Sequence, residues 1–487
     1  MTRYLDDSWR KSMEIRWDYN NLMQEYVEGD HPAKKVGAIT AEDIEKLMPK
    51  ITRAQASLAR KWGKASKMMA WTKLPAGQKG VVADILKTAK RVQDHFESFV
   101  VLGIGGSALG PIAVQQALNH MRYNELSREA RGGCPKFYVE DNVDPERMAS
   151  LLDVIDPATT CFNVITKSGS TSETMSQYMI ISHLLKEKLG DKWSRHIIAT
   201  TDKKNGNLVK IAKAEGIKTF VVPDGVGGRF SETCPVGLLP AAVCGIDIEE
   251  LLAGAETMDE RCKNPDVHTN IGWMAGILMY IAMTQKGKNV QVMMPYADSL
   301  KYIADWYCQL WGESLGKKYS LRGKVVHTGQ TPVKSLGVTD QHSQVQLYAE
   351  GPFDKVITFL KVENYRAQVE IPEECMEYPN VAFLAGHTMN ELIAKEQMAT
   401  EYALTRAGKL NQTIILPEVN AYTLGQLLYL FQVQTAVTGE LLGIDAFDQP
   451  GVEEGKNATY ALFGRPGYEE KRAELEARKA KSEQYML

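Results

Sequence analysis

Phe99-Val-Val-Leu-Gly-Ile-Gly-Gly-Ser-Ala-Leu-Gly-Pro111 starts as an apolar run, breaks into glycines and ends on a proline suited to a first helical turn. It reads as a buried strand, a turn and a helix. Glycines in the turn let backbone N–H groups approach an anion at the positive end of that helix. The stretch Gly103-x-Gly105-x-x-Ala108 also satisfies the dinucleotide fingerprint, and Glu140 or Asp141 stands at the end of the next strand, where a ribose-binding acid would sit. Alone, this motif leaves a nicotinamide enzyme and a sugar-phosphate enzyme equally open.

The same alternation recurs downstream. Apolar runs at 99–104, 136–139, 161–166, 196–200 and 218–222 each lead through a glycine or polar turn into a helical pattern, which predicts a parallel sheet covered on both faces. A second series follows at 289–294, 324–327, 355–362, 381–384 and 413–416, with helices such as 299–315 and 389–404 between its members. The fold class is therefore α/β, with two tandem doubly wound parallel-sheet domains expected at 66–245 and 246–463. A helical segment is expected over 1–65, where Ile39-Thr-Ala-Glu-Asp-Ile-Glu-Lys-Leu47 has helical periodicity, and a charged helix over 464–487.

At 487 residues the chain exceeds what one core usually holds. Its 44% apolar and 24% charged residues are those of a globular protein, and a net charge of −3 supplies no field for nucleic acid or anionic lipid. Any anion must be held locally. The first residues lack the apolar core of a signal peptide. The longest apolar run, 424–442, is interrupted by Gln426, Gln432, Gln434 and Glu440, so it reads as a buried helix rather than a membrane span. Seven scattered cysteines without a C-x-x-C pair point to a reducing cytoplasm and to neither a disulfide framework nor a zinc site.

Lys167-Ser-Gly-Ser-Thr-Ser-Glu-Thr174 concentrates hydroxyls and one lysine between a strand and a helix. That composition suits a terminal phosphate monoester, which needs several donors and a positive charge; a Ser170–Glu173 capping box is compatible with it. A dinucleotide enzyme has no need of a second such loop. Gly227-Gly-Arg-Phe-Ser231 presents Arg229 from a glycine-flexed turn, either toward a ligand or, in the ordinary reading, toward a surface carboxylate. Gln309 and Glu313, four apart on one helix, share a face, and a carboxylate flanked by Trp311 and Leu315 is expected to be partly desolvated and so a better general base. His342 stands at an expected helix start capped by Thr339 or Asp340, a place equally suited to proton transfer and to a surface histidine.

Two segments carry a resemblance. Asp224-Gly-Val-Gly-Gly-Arg-Phe-Ser-Glu-Thr-Cys-Pro-Val-Gly237 and Asp445-Ala-Phe-Asp-Gln-Pro-Gly-Val-Glu-Glu-Gly-Lys456 closely resemble, in order, the two signatures of the glucose-6-phosphate isomerase family. The resemblance runs from about Gly103 to Lys456 and implies two sugar-isomerase (SIS-type) domains with the site between them. It implies that Gly106, Ser107, Thr166, Lys167, Ser168 and Thr171 hold the sugar phosphate, while Gln309 and Gln449 orient hydroxyls. Lys456 and His342 would assist ring opening, Glu313 would carry the proton between C2 and C1 through a cis-enediol, and Arg229 would stabilise the enediolate. The implied reaction is glycolytic interconversion of glucose 6-phosphate and fructose 6-phosphate, with no cofactor and no metal, in a cytoplasmic homodimer whose sites share His342 across chains. Pro450 and Thr339-Asp340 depart from the family pattern, which leaves activity on mannose 6-phosphate open. A non-catalytic sugar-phosphate regulator of the same fold would have no need of Glu313, His342 and Lys456 together.

Overall fold

A computed structural model describes residues 2–27 and 37–487; residues 1 and 28–36 of the expected 1–65 segment lie outside the described residues. That segment is not wholly helical. It contributes β1 (Arg16–Asp18) before the long helix Ala41–Lys61, whose start is fixed by a capping box between Thr40 and Asp43.

The first series forms as expected: β2 (Ser98–Leu102), β3 (Lys136–Glu140), β4 (Thr160–Ile165), β5 (Ile197–Thr201) and β6 (Lys218–Val221) make a five-stranded sheet in the order β3-β2-β4-β5-β6. Every pairing in it is parallel. β2, β4 and β5 are buried throughout, which is why they appear in the sequence as continuous apolar runs. The chain leaves β2 to one side to make β3 and returns on the other side as β4. The β2/β4 boundary is therefore the topological switch point, the place outside the strand ends where open α/β sheets generally bind ligands.

The second sheet is built from β7 (Val290–Pro295) and four other strands, and two expectations fail there. The 324–327 run is not part of it: β8 (Lys317–Tyr319) and β9 (Val325–Thr328) form a separate antiparallel pair, largely exposed. The edge of the main sheet is instead β10 (Thr331–Lys334), parallel to β7. The 381–384 run is no strand either. Pro379 presets the first turn of a short helix, Pro379–Ala382, on the surface. With β11 (Lys355–Asn364) and β12 (Leu410–Glu418) the sheet order is β1-β12-β11-β7-β10, parallel except for β1.

The 22-residue helix Ala421–Leu442 is buried over nearly its whole length. Two of its polar residues find tertiary partners, Gln426 donating to Met13 O at 2.8 Å and accepting from Ile15 N, and Glu440 pairing with Lys61 at 2.6 Å, while the Gln432 amide is buried without one. No helix among the described residues is long and apolar enough to cross a membrane. The charged terminal helix is Glu469–Glu476, exposed and supported by an Arg472–Glu476 ion pair at 2.9 Å.

Candidate active site

The turn after β6 doubles back on the turn after β2. Gly106 and Gly228 meet backbone to backbone: a Cβ on Gly106 would stand 2.2 Å from the Gly228 carbonyl carbon, so no larger residue fits while the turns keep this approach. Phe230 stacks on buried Trp71 with centroids 5.1 Å apart, which anchors the turn from below. Arg229, fixed between these contacts, is 3% exposed and points away from the surface its ordinary reading would assign it.

All five guanidinium N–H groups of Arg229 are used. Nε donates to Ser314 Oγ at 2.7 Å, Nη1 to Glu313 Oε2 at 3.2 Å and Gln449 Oε1 at 2.9 Å, and Nη2 to the carbonyls of Ala446 at 2.8 Å and Asp448 at 3.1 Å. Burial lowers the pKa of Arg229 and Glu313 opposes that shift, so the group remains a buried cation with one close carboxylate.

Glu313 projects from the helix Lys301–Leu315, with its side chain 35% exposed. Trp311 and Leu315 do not flank the carboxylate; both are fully buried. Residues two apart on a helix point to nearly opposite sides, so the face that buries those two turns Glu313 outward. What surrounds it is polar: Arg229 on one oxygen and Gln309 Nε2 at 3.2 Å on the other. Gln309 sits against the first glycine turn, where a Cβ on Gly105 would be 3.0 Å from its Nε2, and its Oε1 is buried without a partner.

The hydroxyl-rich turn follows β4. Thr166 Oγ1 lies 3.0 Å from Thr171 Oγ1 and accepts from Gly169 N, while Ser168 Oγ accepts from Ser170 N and Ser170 Oγ. No Ser170–Glu173 capping box forms. The helix Ser172–Leu189 starts with Thr171 as its N-cap and no side-chain cap bond. Lys167 Nζ donates to Val226 O at 3.0 Å, joining this turn to the arginine turn. The ribose reading fails, because Arg147 engages both Glu140 at 3.1 Å and Asp141 at 2.6 Å.

Ser107 is half-buried on the same glycine turn as Gly106, and no partner for its hydroxyl appears among the described residues. Lys456 is not drawn into the Arg229 cluster. It lies on the helix Glu453–Leu462 and pairs with Glu453 at 2.9 Å, one turn before Tyr460, whose hydroxyl reaches Ser170 O at 3.4 Å. His342 is exposed at the end of the 3-10 turn Thr339–His342 and meets none of these residues. Neither expected cap operates there: the Asp340 carboxylate accepts from Leu336 N at 2.7 Å and Ser343 Oγ at 2.5 Å. Sequence reasoning missed Ser314 and Lys317. Lys317 Nζ donates to Glu313 O at 2.5 Å and Ser314 O at 3.0 Å, and its position four residues after Glu313 was the available signal.

Two α/β sheets, with an arginine from the turn after one holding a carboxylate on a helix packed beside the other, define a protein of the sugar-isomerase α/β fold. The chain belongs to the phosphoglucose isomerase family, whose model matches residues 80–478. It is 55% identical over 463 residues to the glucose-6-phosphate isomerase of Carboxydothermus hydrogenoformans, covering 95% of this chain and 97% of that one. A hypothetical protein from Thermus thermophilus superposes with a TM-score of 0.80 at 36% identity, over 92% of this chain and all of that one. A glucose-6-phosphate isomerase structure from Chlamydia trachomatis shares the fold at a TM-score of 0.69 and 23% identity, over 81% of this chain and 76% of that one.

Proposed function

We propose that this protein interconverts D-glucose 6-phosphate and D-fructose 6-phosphate by proton transfer within the sugar. The observation that carries the reading is the Glu313 carboxylate, reachable from solvent yet held on one oxygen by Arg229 and on the other by Gln309. Aldose–ketose isomerisation removes a C–H proton next to a carbonyl and returns it to the neighbouring carbon, so it needs one fixed base and a cation near the developing oxyanion. Glu313 takes the C2 proton and delivers it to C1. Arg229 has no free N–H, so it acts through its charge and by holding Glu313 and Gln449 in place. Gln309, whose Oε1 has no protein partner, orients a sugar hydroxyl in this reading.

The turn from Thr166 to Thr171, with Lys167, receives the phosphate at the switch point beside Gly106 and Ser107. Lys456 stands one turn from the contact between Tyr460 and that turn, and in this reading it assists opening of the sugar ring. His342 belongs to the site of a second copy in this reading, which makes the working unit a homodimer; its setting is the cytoplasm. The relatives named as glucose-6-phosphate isomerases support the substrate pair, and no observation favours a dehydrogenase or a silent regulator. A coupled assay of fructose 6-phosphate conversion, run with and without chelator, tests the proposal: conversion unaffected by chelator is expected, and no conversion overturns it.

A further inference from the structure

The helix that carries Glu313 ends in an unusual way. A helix leaves its last carbonyls without intrahelical donors, and a glycine after it commonly satisfies them by turning left-handed. Gly316 occupies that position here and donates its N–H to Gly312 O at 3.0 Å, but with φ −72 and ψ 91 it is extended, and the carbonyls of Glu313 and Ser314 are left for another donor. The closing donor is Lys317, which reaches back to Glu313 O at 2.5 Å and Ser314 O at 3.0 Å. Its ammonium also stands 3.6 Å from Asp448 Oδ1.

Lys317 and Arg229 therefore grip the same two backbone segments. Arg229 takes Ser314 Oγ on the helix and the carbonyls of Ala446 and Asp448 on the facing turn, and Lys317 takes two carbonyls on the helix and the Asp448 carboxylate on that turn. Both cations are buried, with side chains 5% and 3% exposed. Burial, and then repulsion from Arg229, lower the pKa of Lys317, so a second ammonium beside Arg229 is held at a cost. If only filling space mattered, an apolar side chain would serve at least as well.

We infer that Lys317 is a positioning residue for the isomerisation: by tying the Glu313-Ser314 turn to Asp448 it sets where the Glu313 carboxylate stands relative to Arg229 and Gln449. This rests on the reading of Glu313 as the base. Misplacing a reacting group by about 1 Å costs on the order of 100-fold in rate.

The test measures kcat and KM for fructose 6-phosphate, and loss of deuterium from C2 of labelled glucose 6-phosphate, in wild type, Lys317→Met, Lys317→Gln, Asp448→Asn and Glu313→Gln. Lys317→Met is expected to lower kcat by about 10- to 100-fold with KM within about threefold, deuterium loss falling in step. Lys317→Gln, which keeps a donor, should fall between it and wild type. Should Lys317→Met not fold, Asp448→Asn decides: it leaves the carbonyl contacts intact, and a kcat lowered at unchanged KM is expected. A folded Lys317→Met with wild-type kcat and only a lower melting temperature overturns the inference, as does a raised KM at unchanged kcat, or wild-type kcat in Asp448→Asn. The reading of Glu313 fails separately, if Glu313→Gln still releases deuterium.

Discussion

Arg229 donates from Nη1 to Oε2 of Glu313 across 3.2 Å, joining residues 84 positions apart, and the same nitrogen holds Gln449 at 2.9 Å. One buried cation thus fixes the carboxylate on the helix and the side chain on the 445–449 turn together. The carboxylate is oriented before a sugar arrives, the condition under which a positioned base is effective.

Glu313→Gln should keep the shape and the Gln309 neighbour but cannot accept a proton from carbon. Turnover is expected to fall by about 10²- to 10⁴-fold or more while KM for the sugar phosphate changes little. Steady-state kinetics paired with deuterium loss from C2 measures both.

Replacing Arg229 with methionine strands Glu313 without its cation and leaves the Ala446 and Asp448 carbonyls without their guanidinium donor. Leaving a buried carbonyl unsatisfied costs about 1–3 kcal/mol, so Arg229→Met should unfold at clearly lower urea as well as lose activity. Urea titration followed by tryptophan fluorescence tests this, and a midpoint equal to wild type contradicts it.

Lys167→Ala with Ser168→Ala removes a cation and a hydroxyl from the proposed phosphate turn. Two charge-assisted hydrogen bonds of about 1.5–3 kcal/mol each predict a KM increase of at least about 100-fold with a smaller effect on kcat. Unphosphorylated glucose should be a negligible substrate for either protein; equal use of glucose and its phosphate by wild type would remove the turn from phosphate recognition.

Glu232 lies beside Gly110 and Gly237, 2% exposed, with both carboxyl oxygens unpartnered, and burial raises its pKa well above the ordinary range. The folded state then keeps a proton that the unfolded chain releases above about pH 4.3, so this residue's contribution to stability falls as pH rises above that value. Glu232→Gln should flatten that slope, gaining more in melting temperature at pH 8 than at pH 5. Parallel melting curves of the two proteins across that range decide it.

If His342 completes the site of a second copy, Glu313→Gln and His342→Ala should each be inactive alone, and random remixing of equal amounts should restore about one quarter of wild-type activity, because half the dimers are mixed and each has one intact site. No recovery, with subunit exchange shown independently, would place His342 in its own chain's site or outside the mechanism.

Local chemistry made much of this protein legible in its sequence. β2, β4 and β5 are buried on both faces, so their apolar runs stand out, and the glycine and hydroxyl turns that follow are marked by composition. The four-residue spacing of Gln309 and Glu313 placed them on one helix face, where they touch at 3.2 Å. The second sheet was harder to read at its edge. β10 is a short strand of mixed burial that only its pairing with β7 defines, while β9 has valines yet lies exposed in a hairpin.

The sequence by itself determined the series of strand–turn–helix units, the positions of the glycine-rich and hydroxyl-rich turns and the identity of the titratable groups, because each depends on residues within a few positions of one another. Only the tertiary structure decided that Arg229 is buried with every N–H engaged, that Glu313 meets Arg229 and Gln309 rather than Trp311 and Leu315, and that Lys317 ties its helix end to Asp448. The Arg229 contacts alone join segments 84 to 220 residues apart. Their energies depend on burial and on partner geometry, and neither exists until the two sheets have packed together.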